Sequence, residues 1–209
     1  AVNETVSQLP EGIDLVIASI HEGAPNGNGT GDDQATASPN FRKMWTGIDP
    51  RIRVVLGGHT HQTYSWTNDK GQLFTQAGSY AAALNELKAG VTGDGALCGI
   101  SNTTTKIDAK AFDTSLPRIR EITDIVSAAV TKADEVGAQV IGQASEAIST
   151  PTGNSDVRDV ESPMSNMVAQ MFREVLGGDD PYFIGVQNPG GTRDSFDSGE
   201  ITYMEAALA

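Results

Sequence analysis

Two apolar runs, each ending in histidine, constrain this chain more than any other feature. Residues 13–20 read Ile-Asp-Leu-Val-Ile-Ala-Ser-Ile and are followed at once by His21. Residues 52–56 read Ile-Arg-Val-Val-Leu and lead into Gly57-Gly58-His59-Thr60-His61. A short, continuous run with β-branched character predicts a strand buried on both faces, and such strands belong to α/β sheets. In open sheets of that kind, ligands bind beyond the carboxyl ends of the strands. The chain has three histidines, and all of them fall at such ends. Any one alone reads as an ordinary strand-end residue; the Gly-Gly-His-Thr-His segment with His21 upstream reads as a metal site. Neutral imidazole ligates zinc, manganese and iron. In an extended turn, His59 and His61 would point to one side, because strand side chains alternate with period two. Gly57 and Gly58 would let the backbone approach the site closely.

Four carboxylates lie in the same region: Glu22, Asp32, Asp33 and Asp49. They read as loop residues and form no strand-end pattern, although a two-metal site needs carboxylates to bridge its ions and offset their charge. The metal chemistry therefore reads as unfinished within this chain.

The remaining sequence predicts a mixed α/β chain. Residues 24–40 are rich in Gly, Asn, Pro, Ser and Thr and read as a flexible loop, followed by a short helix over 41–48. Residues 73–76 and 83–91 read as strands and 92–105 as loop. The clearest helix starts near Pro117, capped by Thr114 or Ser115, carries an apolar stripe from Leu116 to Val136, and stops at Gly137. Residues 140–148 read as a strand. Pro163 opens a second helix closed by Gly177, and 183–186 read as a strand entering Asn188-Pro189-Gly190-Gly191-Thr192-Arg193. The expected division is 1–112, a connector helix over 113–138, and 139–209.

Composition narrows the function classes. The net charge is −13, and a field of that sign repels nucleic acid and anionic membrane surfaces. No apolar run reaches the roughly 18 residues of a membrane span, and no signal peptide opens the chain. One cysteine, Cys98, allows no internal disulfide. Hydrophobic residues are 38% of the chain, low for one well-filled core, which predicts many loops or packing against something more. Small anions could bind only where arginines or metal ions reverse the local sign.

Four segments together resemble the 5′-nucleotidase family, whose catalytic half is a calcineurin-like metallophosphoesterase domain. They are Ala18-Ser19-Ile20-His21-Glu22-Gly23, Gly57-Gly58-His59-Thr60-His61, Gln76-Ala77-Gly78-Ser79-Tyr80, and Asn188-Pro189-Gly190-Gly191-Thr192-Arg193 with Gly199-Glu200-Ile201-Thr202-Tyr203. The last is similar to the family's Asn-Gly-Gly-Gly-Ile-Arg and Gly-x-Ile-Thr signature. The resemblance implies the C-terminal part of a metallophosphoesterase αββα sandwich, a connector helix, and the first part of an α/β nucleotide-binding domain. It implies two divalent metal ions, zinc or manganese, with His21 and His59 on one and His61 on the other. Arg158 and Arg193 would hold substrate phosphate when the domains close, and a guanidinium fork suits that task. Asn188, Gly190 and Gly191 would shape the nucleotide pocket; Glu161 and Asn166 would be structural. It also implies a nucleotide substrate and an extracellular, cell-surface or periplasmic location.

The chain departs from the family in two ways. Pro189 stands where glycine is usual, removing a backbone donor. The family's upstream Asp-x-His, bridging Asp and Asn-His motifs have no counterpart in residues 1–20, and the later base-stacking aromatics are absent. The expectation is an internal fragment, inactive by itself, whose parent hydrolyses nucleoside 5′-monophosphates. A cyclic-nucleotide or nucleotide-sugar hydrolase on the same scaffold, or a non-catalytic surface protein retaining the fold, are the rival readings.

Overall fold

The computed structural model describes residues 1–108, 110–150 and 160–209. The chain divides into two compact units, Ala1–Phe112 and Asp113–Ala209, each described by itself.

Unit 1 is built on a four-stranded sheet. Its strands are β1 (Val16–Ser19), β2 (Ile52–Leu56), β3 (Thr63–Thr67) and β4 (Leu73–Ala77), in the order β1-β2-β4-β3. β1, β2 and β4 run parallel, while β3 is antiparallel to β4. Of the two apolar runs, the second is the buried one: Ile52, Val54 and Val55 are at most 1% exposed. β1 corrects the expectation of a strand buried on both faces. It pairs only with β2 among the described residues and leaves Ile17 47% exposed. Its other face, Val16 and Ala18 with Ile20 beyond, packs on the core.

Three helices belong to this unit: α1 (Val2–Ser7), α2 (Gly31–Ala37) and α3 (Pro39–Gly47). The core is aromatic. Phe41 and Trp45 of α3 meet Tyr64, Trp66 and Phe74 of β3 and β4, with Phe41 wholly buried. Such rings bury large area and gain from edge-to-face geometry.

α2 lies within 24–40, the stretch expected to be loop. Local chemistry accounts for it. The Thr30 Oγ1 accepts from the Asp33 backbone N–H at 3.2 Å, and Asp33 Oδ2 accepts from the Thr30 backbone N–H at 2.9 Å. This reciprocal capping box satisfies two donors that a helix start leaves open. The Thr30 backbone and hydroxyl hold the Asp33 carboxyl below its usual range. Its contribution is therefore complete above the ordinary aspartate range and is lost as pH falls through the lowered value. Thr30→Ala should cost about 1 kcal/mol in urea unfolding of unit 1 at neutral pH, and the deficit should shrink as the pH drops below that of a free aspartate.

A second correction concerns 92–105, also expected to be loop. β5 (Ala83–Val91) and β6 (Leu97–Lys106) form a long antiparallel hairpin. It meets β4 through polar side chains: Asn85 Nδ2 donates to Thr75 Oγ1 at 2.8 Å and Asn102 Nδ2 to the same oxygen at 3.1 Å.

Unit 2 holds α4 (Pro117–Gly137), β7 (Val140–Ala144), α5 (Pro163–Leu176), β8 (Gly199–Thr202) and α6 (Tyr203–Leu208). β7 and β8 pair antiparallel. α4 starts at an N-cap, Leu116, that gives no side-chain hydrogen bond, so neither Thr114 nor Ser115 caps it. Its apolar stripe is open, with Ile122, Ile125, Val126 and Val130 between 45% and 62% exposed. α5 is capped by Ser162, whose Oγ accepts from the Ser165 N–H. Residues 183–186 do not form a strand. Their ladder has no partner among the described residues, and the segment lies against α5 instead: a Cβ on Gly185 would come within 1.9 Å of the Ala169 carbonyl oxygen.

Candidate functional site

The histidines lie at the carboxyl ends of β1 and β2, and backbone bonds tie the two ends together. The Ile20 N–H donates to the Leu56 carbonyl at 2.9 Å, continuing the parallel ladder, and the Gly58 N–H donates to the Glu22 carbonyl at 3.1 Å. The Gly57 N–H donates to the Thr75 carbonyl on the other side. These bonds bring His21 and His59 together. Their rings stand edge to face, with centroids 5.1 Å apart, and both residues are exposed.

The turn is not extended, and the period-two argument for His59 and His61 fails for that reason. His59 has φ 67° and His61 φ 59°. The Thr60 N–H donates back to the Gly58 carbonyl at 2.7 Å, so His59 is the middle of a three-residue turn with positive φ, a rare and strained arrangement. A left-handed residue other than glycine costs roughly 1–2 kcal/mol. Two of them, one residue apart and both histidine, mark a backbone held in place by its surroundings, and such strain concentrates at functional sites. The His61 ring stands edge-on to Tyr80 at 5.6 Å. Tyr80 and Ala81 also have positive φ.

Each of the four carboxylates has a partner of its own. Glu22 Oε1 accepts from the Gly23 N–H, and Asp32 Oδ1 from Trp45 Nε1. Asp33 belongs to the capping box of α2, and Asp49 pairs with Arg51 at 3.1 Å. Asp32 and Asp33 are thus helix residues rather than loop residues. Among the described residues no group of three or more His, Cys, Asp or Glu side chains is placed to hold a metal ion. The donor chemistry of His21 and His59 therefore fits part of a metal site, two adjacent imidazoles, without completing it.

Two residues lie under the turn: Tyr64, which the sequence reading missed, and Gln76, which entered it only as the first residue of a motif segment. Tyr64 is 5% exposed and its hydroxyl accepts from the Ala24 N–H at 3.4 Å. Burial, reinforced by the Glu22 charge, pushes its phenol pKa up, against the Ala24 hydrogen bond, so it stays neutral. The alternation of Thr63-Tyr64-Ser65-Trp66-Thr67 was the available signal. Gln76 is 2% exposed and reaches the turn from β4.

In unit 2, Asn188, Gly190 and Gly191 share one tight turn, and Arg193 follows it, its N–H donating to the Ala209 carbonyl at 2.7 Å. Pro189–Gly191 is a single 3₁₀ turn closed by the Gly191 N–H on the Asn188 carbonyl at 2.9 Å. Pro189 takes the first position, where an N–H would have no partner in the turn, so the departure from glycine loses no bond there. The Gln187 side chain packs against Gly191, its Nε2 standing where a Cβ of residue 191 would be. Thr192 anchors the turn to the start of α5: it is 1% exposed and shares a hydrogen bond with Ser165 Oγ at 2.8 Å. Asn188 and Arg193 are exposed. Asn166 Nδ2 donates to Glu161 Oε1 at 2.8 Å. Arg158 lies outside the described residues.

No family model matches the sequence, and neither does any curated protein. A solved structure does. The crystal structure of a 5′-nucleotidase precursor from Thermus thermophilus aligns with a TM-score of 0.51 at 18% identity, over 99% of this chain and 39% of that one. The chain thus has the fold of a stretch of a 5′-nucleotidase, in agreement with the mixed α/β architecture expected from its motifs, and spans about two-fifths of the length of that protein. No helix among the described residues is long and apolar enough to cross a membrane.

Proposed function

We propose that this chain carries the histidine side of a two-metal site in an exported, metal-dependent phosphohydrolase, and that the whole protein converts nucleoside 5′-monophosphates to nucleoside and phosphate. The observation that carries the reading is the His21–His59 pair at the ends of adjacent parallel strands, with His59 and His61 both held at positive φ. In this reading His21 and His59 hold one divalent ion, zinc or manganese, and His61 the other. The ions, when bound, supply charge to the phosphoryl oxygens and activate water. The bridging carboxylates and the catalytic histidine come from residues of the longer protein outside these 209.

The chain's own residues set the geometry. The bonds from Gly58 and Ile20 fix the His21 and His59 backbones to each other, so two ligands are oriented before any ion arrives, and pre-organisation of that kind lowers the cost of binding. Arg193 and Arg158 hold substrate phosphate as charged forks. Asn188, Gly190 and Gly191 shape the nucleoside contact, their turn fixed through Thr192. In this reading the protein works outside the cytoplasm.

An assay of phosphate release from a nucleoside 5′-monophosphate with zinc or manganese tests this. The full gene product should turn over in a chelator-sensitive way, and His59→Ala should lower its kcat/KM by roughly 100-fold or more. The 209-residue chain alone should release no phosphate. A full gene product without turnover on any 5′-nucleotide would sink the enzymatic reading and leave a binding protein. Turnover of cyclic nucleotides or nucleotide sugars instead would move the substrate class.

A further inference from the structure

The left-handed histidine turn rests on a buried carboxamide. Gln76, at 2% exposure, stands opposite Tyr64 in the β3–β4 ladder. Its Oε1 accepts from Thr60 Oγ1 at 3.2 Å, and Thr60 is the residue between the two histidines at positive φ. The same oxygen fills the space beside two glycines: it lies 2.2 Å from where a Cβ of residue 23 would be and 3.3 Å from that of residue 57. The Gln76 Nε2 is buried and has no hydrogen-bond partner among the described residues. An unpaired buried donor costs about 1–3 kcal/mol. Leucine would fill similar volume without that cost, so packing alone does not account for glutamine here. What leucine cannot supply is the acceptor for Thr60.

We propose that Gln76 is the positioning residue of the site: its carboxamide oxygen, through Thr60, holds His59 and His61 in their left-handed conformations. The role rests on the metal-site reading for its purpose but on backbone geometry for its content. Gln76 touches neither ion nor substrate; it acts through the turn. Gly23 is glycine for the same reason, because the carboxamide needs the space a Cβ would take, while at Gly57 the Tyr64 hydroxyl, 2.5 Å from where a Cβ would be, is the nearer obstacle.

The test is nuclear magnetic resonance of the isotope-labelled 209-residue chain, reading φ at His59 and His61 from backbone scalar couplings and Cα shifts, with zinc titration alongside. Gln76→Leu should move both histidines out of the left-handed region. Thr60→Val, at a half-buried position, should do the same if Gln76→Leu fails to fold, and the double variant should add nothing further. Gln76→Glu keeps an acceptor oxygen and should restore the native couplings. Any zinc affinity of the chain should fall about 10-fold or more in Gln76→Leu, the usual effect of losing a group that orients a ligand. Native couplings in Gln76→Leu, or additive effects of the two single variants, would overturn the role. If the parent chain binds no zinc while its couplings respond as expected, the positioning role stands and the metal-site reading fails.

Discussion

Replacing Phe41 by alanine should destabilise unit 1 by about 3–5 kcal/mol, a large part of the roughly 5–15 kcal/mol that typically holds a domain together. Phe41 is wholly buried, and its ring meets Trp45, Tyr64, Trp66 and Phe74 at centroid distances from 5.8 to 6.4 Å. It is the one ring that touches all the others, so its loss leaves a cavity that α3, β3 and β4 line jointly. Collapse would require the helix and the sheet to move together, and well-packed interiors resist that. Both tryptophans, Trp45 and Trp66, belong to this cluster, so their fluorescence in a urea titration reports unit 1. The midpoint temperature should fall on the order of 10 °C or more. A loss under about 1 kcal/mol would show that the aromatic cluster is not the core of the unit. The histidine turn should fail with it, because β2 and β4, whose ends anchor Gly57 and Gln76, bury Val55 and Phe74 in that cluster.

Where the sequence could be read depended on which physical signal was local. The strand at 52–56 and the helices opening at Pro117 and Pro163 were legible, because apolar periodicity and a proline at the first turn are carried by neighbouring residues. α2 was not legible from composition: Gly, Asn and Thr suggested a loop, while a single capping box, Thr30 with Asp33, overrode them. β6 was obscured in the same way. Its run of Asn102-Thr103-Thr104-Thr105 reads as polar, yet threonine is β-branched and favours strands, and its partner β5 settles the matter through register. The histidine site was half legible. Which residues carry it followed from their place after the strands, but the turn's handedness did not. That handedness comes from the contact between Thr60 and Gln76, 16 residues apart, and no local pattern encodes such a pairing. Residues 183–186 show the converse: a β-rich pattern predicts a strand only where a partner is at hand to pair with it.

Gly23→Ala should dismantle the histidine pair. Gly23 is buried, and a Cβ there would stand 2.2 Å from Gln76 Oε1, 2.6 Å from Thr60 Oγ1 and 2.8 Å from the Gly58 carbonyl oxygen. The glutamine cannot swing away because it is itself buried, and the carbonyl is backbone. Something in the turn must shift, and the bond from the Gly58 N–H to the Glu22 carbonyl, which joins the two histidine loops, is the contact most exposed to that shift. Overpacking of this kind costs about 1–3 kcal/mol, so the unit should remain folded at room temperature while the site is lost. The readout is the set of cross-peaks between the His21 and His59 rings, present in the parent chain at a 5.1 Å centroid separation and absent in the variant. Gly47→Ala is the control, since nothing lies within 4 Å of a Cβ there, and it should leave both the cross-peaks and the stability as they are. In the full gene product, Gly23→Ala should lower phosphate release as far as His59→Ala does, although Gly23 has no side chain to offer a metal or a substrate. Ring cross-peaks that survive in Gly23→Ala would mean that the close contact beneath the turn does not hold the two histidines together.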